Sequence, residues 1–142
     1  MAYNIMIVDD SKPMRSVIKK TLKASGFDVG RIYEASNGKE ALRSLRDEWV
    51  DLVLTDYNMP QMNGLELICE MKKDELLRAL PAVLITTEGS LQRVDEFLEK
   101  GAAGYIKKPF TPEQIKGTLS MIMGDTDDGQ EDDESGDEGL DF

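Results

Sequence analysis

Five short apolar runs, each followed by an amphipathic segment of helical period, restrict this chain more than any other feature. The runs are Asn4–Val8, Arg31–Ala35, Asp51–Thr55, Ala82–Thr86 and a strand within "AGYIKKPF" at residues 103–110. Runs of this length with little polar alternation suit strands buried on both faces. Between them, "SKPMRSVIKKTLKASG" places Met14, Val17, Ile18, Thr21 and Leu22 at helical spacing, with Ser11 as N-cap, Pro13 in the first turn and Gly26 as the stop. A second helix in "NGKEALRSLRDE" turns Ala41, Leu42 and Leu45 inward, and a third, after the turn "NMPQMNG", turns in Leu65, Ile68, Cys69 and Met71. The fourth rests on Leu91, Val94, Phe97 and Leu98 and ends at Gly101; the last takes Thr111 as cap and Pro112 as its first residue. This alternation predicts an α/β chain with a parallel sheet, helices on both faces and right-handed crossovers. Periodicity alone leaves the strand order open.

The chain has no histidine, which excludes imidazole bases, Ser-His and Cys-His nucleophile pairs and histidine-rich metal sites. Any chemistry must run on carboxylates, hydroxyls and lysine. The net charge of −11 is unevenly spread: ten of the 28 acids lie in residues 125–142 with no base, leaving 18 acids against 17 bases elsewhere. Neither part has the basic footprint of a duplex-DNA binder, and no helix-turn-helix follows residue 123, so no nucleic-acid partner is expected. No apolar stretch approaches the ~20 residues that span a bilayer, and no signal segment opens the chain. Cytoplasmic location without membrane insertion, as a monomer, is the expectation. The single cysteine, Cys69, cannot form an internal disulfide and reads as a lone buried thiol.

Ligands of open parallel sheets sit at the carboxyl ends of the strands. Those ends carry Asp9 and Asp10 after the first strand, Asp56 after the third, Thr86 after the fourth and Lys108 after the fifth. Singly, each has a plainer reading: an aspartate after a strand is commonly a turn former, Thr86 a loop hydroxyl, Lys108 a solvated surface charge and Tyr105 strand packing. Their succession at adjacent strand ends argues otherwise. Converging carboxylates call for a hard cation such as magnesium, and a lysine and a hydroxyl beside them suit a transferring phosphoryl group. With no histidine pair or P-loop present, the favoured nucleophile is a carboxylate, Asp56, which would form an acyl phosphate.

The stretches "IMIVDDS", "LVLTDYNMPQMNG", "LITTEG" and "GAAGYIKKPF" make the chain resemble the receiver domain of two-component response regulators over about residues 3–123. The resemblance implies a three-layer (βα)5 flavodoxin-like fold with strand order 2-1-3-4-5 in residues 1–124. It implies that Asp56 accepts a phosphoryl group from the phosphohistidine of a histidine kinase, with Asp56, Thr86 and Lys108 as the catalytic set. Mg2+ would be held by Asp10 directly, by Asp9 mainly through water, by Asp56 and by the backbone carbonyl of Asn58. Lys108 would bind phosphoryl oxygens, and the Lys108–Pro109 peptide would be cis. Thr86 and Tyr105 would form the switch, the first moving toward the phosphoryl group and the second turning into the vacated space. Asn58 and Glu88 resemble a pair that flanks the acyl phosphate in chemotaxis receivers. Thr87 departs from the small alanine common in the family.

Three functions fit these residues. A stand-alone switch would bind a downstream protein, such as a flagellar motor switch protein, and could meet a phosphatase. A phosphorelay intermediate or phosphate sink would pass the group on. A phosphohydrolase would need a second acid/base residue, and none stands out. Residues 125–142, "DTDDGQEDDESGDEGLDF", are predicted to form a disordered acidic tail. Such a tail can simply keep the protein solvated. Because Leu140 and Phe142 restore apolar character, it can also dock on a partner or fold back onto bases such as Lys72, Lys73, Lys107 and Lys116.

Overall fold

A computed structural model describes residues 2–87 and 91–124. Ten elements alternate: β1 Tyr3–Val8, α1 Lys12–Ser25, β2 Val29–Ala35, α2 Gly38–Leu45, β3 Leu52–Asp56, α3 Gly64–Lys73, β4 Ala82–Thr86, α4 Leu91–Glu99, β5 Gly104–Lys107 and α5 Pro112–Met123. The strands form one parallel sheet in the order β2-β1-β3-β4-β5, the flavodoxin-like arrangement that the resemblance implies. The expected tail, residues 125–142, and Glu88 lie outside the described residues.

The unbroken apolar runs follow from a sheet covered on both sides. Along β1, Met6 and Val8 point into one core with Val53, Leu84, Leu67, Ile68 and Phe97. Their neighbours Ile5 and Ile7 point into the other, with Leu54, Val83, Ile106, Ile18 and Ile115. The period of two thus divides each strand between α2, α3 and α4 on one face and α1 and α5 on the other.

Local signals end the helices as their residues require. Ser11 Oγ accepts from the Met14 amide at 3.2 Å, and Gly26 closes α1 at φ 81°, a conformation that glycine reaches without steric cost. Asn63 with Glu66, and Thr111 with Gln114, form reciprocal capping boxes at the starts of α3 and α5. No helix among the described residues is long and apolar enough to cross a membrane.

Several expectations about single residues need correction. Val17 and Leu98, expected to face inward, are 49% and 46% exposed, because their helices centre their buried arcs on Ile18 and Leu22 and on Val94 and Phe97. Cys69 is half-buried rather than buried, and Leu67, which the periodicity passed over, is fully buried. Strand β2 starts two residues before the expected Arg31, and β3 is shifted one residue onward so that Asp56 is its last member.

Candidate functional site

The strand order turns back on itself at β1: β2 lies on one side, and the chain then crosses to β3 on the other. Crossover loops leaving β1 and β3 in opposite directions open a crevice at their carboxyl ends. Asp9 and Asp10 follow β1 there, and Asp56 ends β3. Carboxylate oxygens of all three lie within 4.8 Å of one another.

Each acid has a distinct environment. Asp9 is buried; its Oδ1 accepts from the Ser11 amide at 2.8 Å, and its own amide donates to the Ala35 carbonyl at 3.0 Å. Its Oδ2 is also buried and has no hydrogen-bond partner among the described residues. Burial above all raises the Asp9 carboxyl from its ordinary value; the Ser11 amide and Lys108 oppose this, and the negative charges of Asp56 and Asp10 add to it. Asp10 is exposed. Asp56 is 9% exposed, and its Oδ1 accepts from Lys108 Nζ at 3.1 Å.

Lys108 reaches this point because the β5 end is tied to β4: its amide donates to the Thr86 carbonyl at 2.8 Å. The Lys108–Pro109 peptide is cis. Thr86 is buried at the end of β4, beside β3 in the sheet. Tyr105 is 37% exposed on β5, outside the crevice. Asn58 stands exposed in the β3–α3 loop, two residues beyond Asp56. The structure therefore brings together Asp9, Asp10, Asp56 and Lys108, sets Thr86 at the neighbouring strand end, and keeps Tyr105 apart.

The donor set fits a hard divalent cation. Three carboxylates supply oxygen ligands, and the buried, unpartnered Oδ2 of Asp9 is the kind of atom that a cation or its water would satisfy. Lys108 already neutralises part of the negative charge on the Asp56 side.

Other contributors carry little signal in the sequence. Arg15 donates to the Asp9 carbonyl at 2.6 Å and to Glu34 at 2.8 Å, bracing the turn that presents the acids. Arg93 of α4 donates to the Tyr57 hydroxyl and stacks over that ring at 5.1 Å, joining α4 to the loop after Asp56. Only the spacing of Arg93 and Phe97 hints at this contact. Gly64 was legible as a turn residue, but not for its main reason: a Cβ there would stand 2.3 Å from the Asp56 carbonyl oxygen.

Residues 5–120 match the response regulator receiver domain family. The chain is 40% identical over 125 residues to chemotaxis protein CheY1 of Helicobacter pylori, covering 87% of this chain and 98% of that protein. It is 40% identical over 119 residues to chemotaxis protein CheY-3 of Vibrio cholerae, covering 84% and 90%. The structure of chemotaxis response regulator CheY4 of Vibrio cholerae superposes with a TM-score of 0.76 at 30% identity, over 86% of this chain and 99% of that one.

Proposed function

The chain belongs to the response regulator receiver family, whose members are signalling switches in phosphorelays, and on that premise we propose that Asp56 is its phosphoacceptor. The observation that carries the proposal is the convergence of Asp56 with Lys108 at 3.1 Å and with two further aspartates inside 4.8 Å. An Asp56 carboxylate oxygen attacks the phosphorus of a histidine-kinase phosphohistidine. The P–O bond forms as the P–N bond breaks, and the imidazole leaves with its electron pair and takes up a proton. Lys108 Nζ, now on Asp56, then has phosphoryl oxygens to bind. Its fixed charge favours the developing anion.

Asp10, Asp56 and the Asn58 carbonyl would hold Mg2+ directly, and Asp9 mainly through water. The ion supplies positive charge to the phosphoryl oxygens. Thr86 gives the hydroxyl that moves toward the phosphoryl group, and exposed Tyr105 is the ring that turns inward. Differential contact with one new dianion thereby changes the surface that a downstream protein reads. The chemotaxis names of the 40% identical relatives favour a flagellar motor switch protein as that reader over a relay or sink.

Incubation of the protein and of Asp56→Asn with a small acyl phosphate and magnesium tests the assignment. Intact mass should show one added phosphoryl group in the wild type and none in the variant. Equal labelling of the two would remove Asp56 from the role.

A further inference from the structure

We propose that residues 125–142 dock on this protein's own α1 face, with the acidic run along the lysines of α1 and with Leu140 and Phe142 in the apolar groove between α1 and the β5–α5 connection. The contact stands independently of the phosphoacceptor reading.

Charge selects the helix. Helix α1 carries Lys12, Arg15, Lys19, Lys20 and Lys23 and no acid, five of the 17 bases that offset the 18 acids before residue 125. Glu34 of β2 engages Arg15 and Lys19 at 2.8 and 2.6 Å. Lys12, Lys20 and Lys23 are exposed and share the outward side of the helix, opposite Ile18 and Leu22. Lys116 of α5 adds a charge at the far end, its Nζ 3.6 Å from where a Gly26 Cβ would stand. Two of the other bases considered for a fold-back are less suited: Lys73 is paired with Glu70 at 3.2 Å, and Lys72 donates to the Arg78 carbonyl at 3.0 Å. The exposed acids next to α1 in sequence are Asp10 before it and Asp28 after it, two against its five bases.

The apolar residues of the segment have a matching surface. Met14, Val17, Pro109 and Phe110, with Thr87 and Lys108, enclose a groove of about 280 Å³. Val17 is half exposed there, an apolar side chain on a lysine-rich helix with no partner in either core.

Reach agrees as well. Helix α5 leads away from the site end of the sheet, so Gly124 lies near the opposite end, and the chain must return along α1. The return is about 20 Å, the length of a 12- to 14-residue helix. By the coil relation 16 residues span roughly 20–24 Å root-mean-square, and like charge lengthens that, so the stretch from 125 to 140 is long enough. Agreement between span and linker length is where intramolecular effective concentration is highest. The charged part is sensitive to salt, because exposed pairs are screened within about 8 Å at physiological ionic strength.

The test uses the full chain with Cys69→Ser and a nitroxide on Gly139→Cys, observed by amide NMR. At about 20 mM salt, broadening should concentrate on residues 12–25 and on Lys108 and Phe110, and it should fall severalfold at about 0.5 M salt, where screening is stronger. Lys20→Glu with Lys23→Glu should reduce it severalfold at low salt. Leu140→Ser with Phe142→Ser should remove broadening at Lys108 and Phe110 while leaving that on α1. Broadening centred on α3 or α4, or even and insensitive to salt, overturns the proposal. So does broadening of equal strength when the nitroxide sits on a separate copy, which would assign the contact to a second molecule. Survival of the broadening at Lys108 and Phe110 in the serine variant overturns the groove assignment.

Discussion

At Asp9 the fold holds a buried carboxyl against its electrostatic preference, with one oxygen unpartnered and two more acids within 4.8 Å. A carboxyl whose pKa is raised by folding weakens the native state as pH climbs above its unfolded value. Asp9→Asn keeps the acceptor for the Ser11 amide and removes the charge. Without divalent metal the variant should therefore melt higher than wild type at pH 7, and the difference should vanish near pH 3; calorimetry in a chelating buffer reads both. Glu40 has the opposite sign. The Ser36 amide, at 2.5 Å, and its hydroxyl lower the Glu40 pKa from 4.5, so its charge stabilises the fold above that value and ceases to as pH falls through the lowered pKa. Glu40→Gln should be less stable than wild type at pH 7 in urea titrations and converge with it once pH falls below the lowered Glu40 pKa. The acids of the crevice were legible because they end apolar runs. The Ser36–Glu40 contact was not, since nothing in "SNGKE" shows that the side chain turns back across the cap.

At the level of elements, capping chemistry was the most readable layer: Ser11, Gly26, Thr111 and Pro112 each occupy the position their chemistry suggests. Burial on the helix flanks was less readable, because an apolar residue about 100° from the centre of the buried arc can face either way. Val17 and Leu98 both took the outer course. Close approach of two backbones is invisible in a single sequence, and the junction of β3 and α3 is the instance that bears on the site. Gly64 lies against the Asp56 carbonyl, and a methyl group there would meet its oxygen at 2.3 Å and Leu84 Cδ2 at 2.7 Å. Backbone cannot yield as a flexible side chain can, so Gly64→Ala must push α3 away from the end of β3. The expected cost is about 1–3 kcal/mol in urea unfolding, with slower acyl-phosphate labelling of the surviving native protein as Asp56 is displaced. A neutral effect on both readings would show that the junction has slack.

Over the whole molecule, parallel strands with helices on both faces were implied by the apolar runs, whereas the order 2-1-3-4-5 came from family resemblance, because pairing between distant segments leaves no periodic trace. That order puts the repelling acids at the turning point of the sheet, so their electrostatics act on the stability of the entire domain. A cation that binds only the folded crevice must raise global stability through mass action, by about 2.7 kcal/mol at a hundredfold excess over its dissociation constant. For a domain of this size that is a rise in Tm of roughly 10 °C. Magnesium titrations followed by calorimetry should show Tm climbing with the logarithm of concentration and returning on chelation. Asp10→Asn removes a carboxylate charge from the exposed side of the cluster and should abolish most of the rise, while Glu75→Gln, an exposed acid two residues beyond α3, should leave it intact. An equal rise in all three proteins would mean that magnesium acts by general screening of a −11 chain, and the cluster of Asp9, Asp10 and Asp56 would then lose its standing as a metal site.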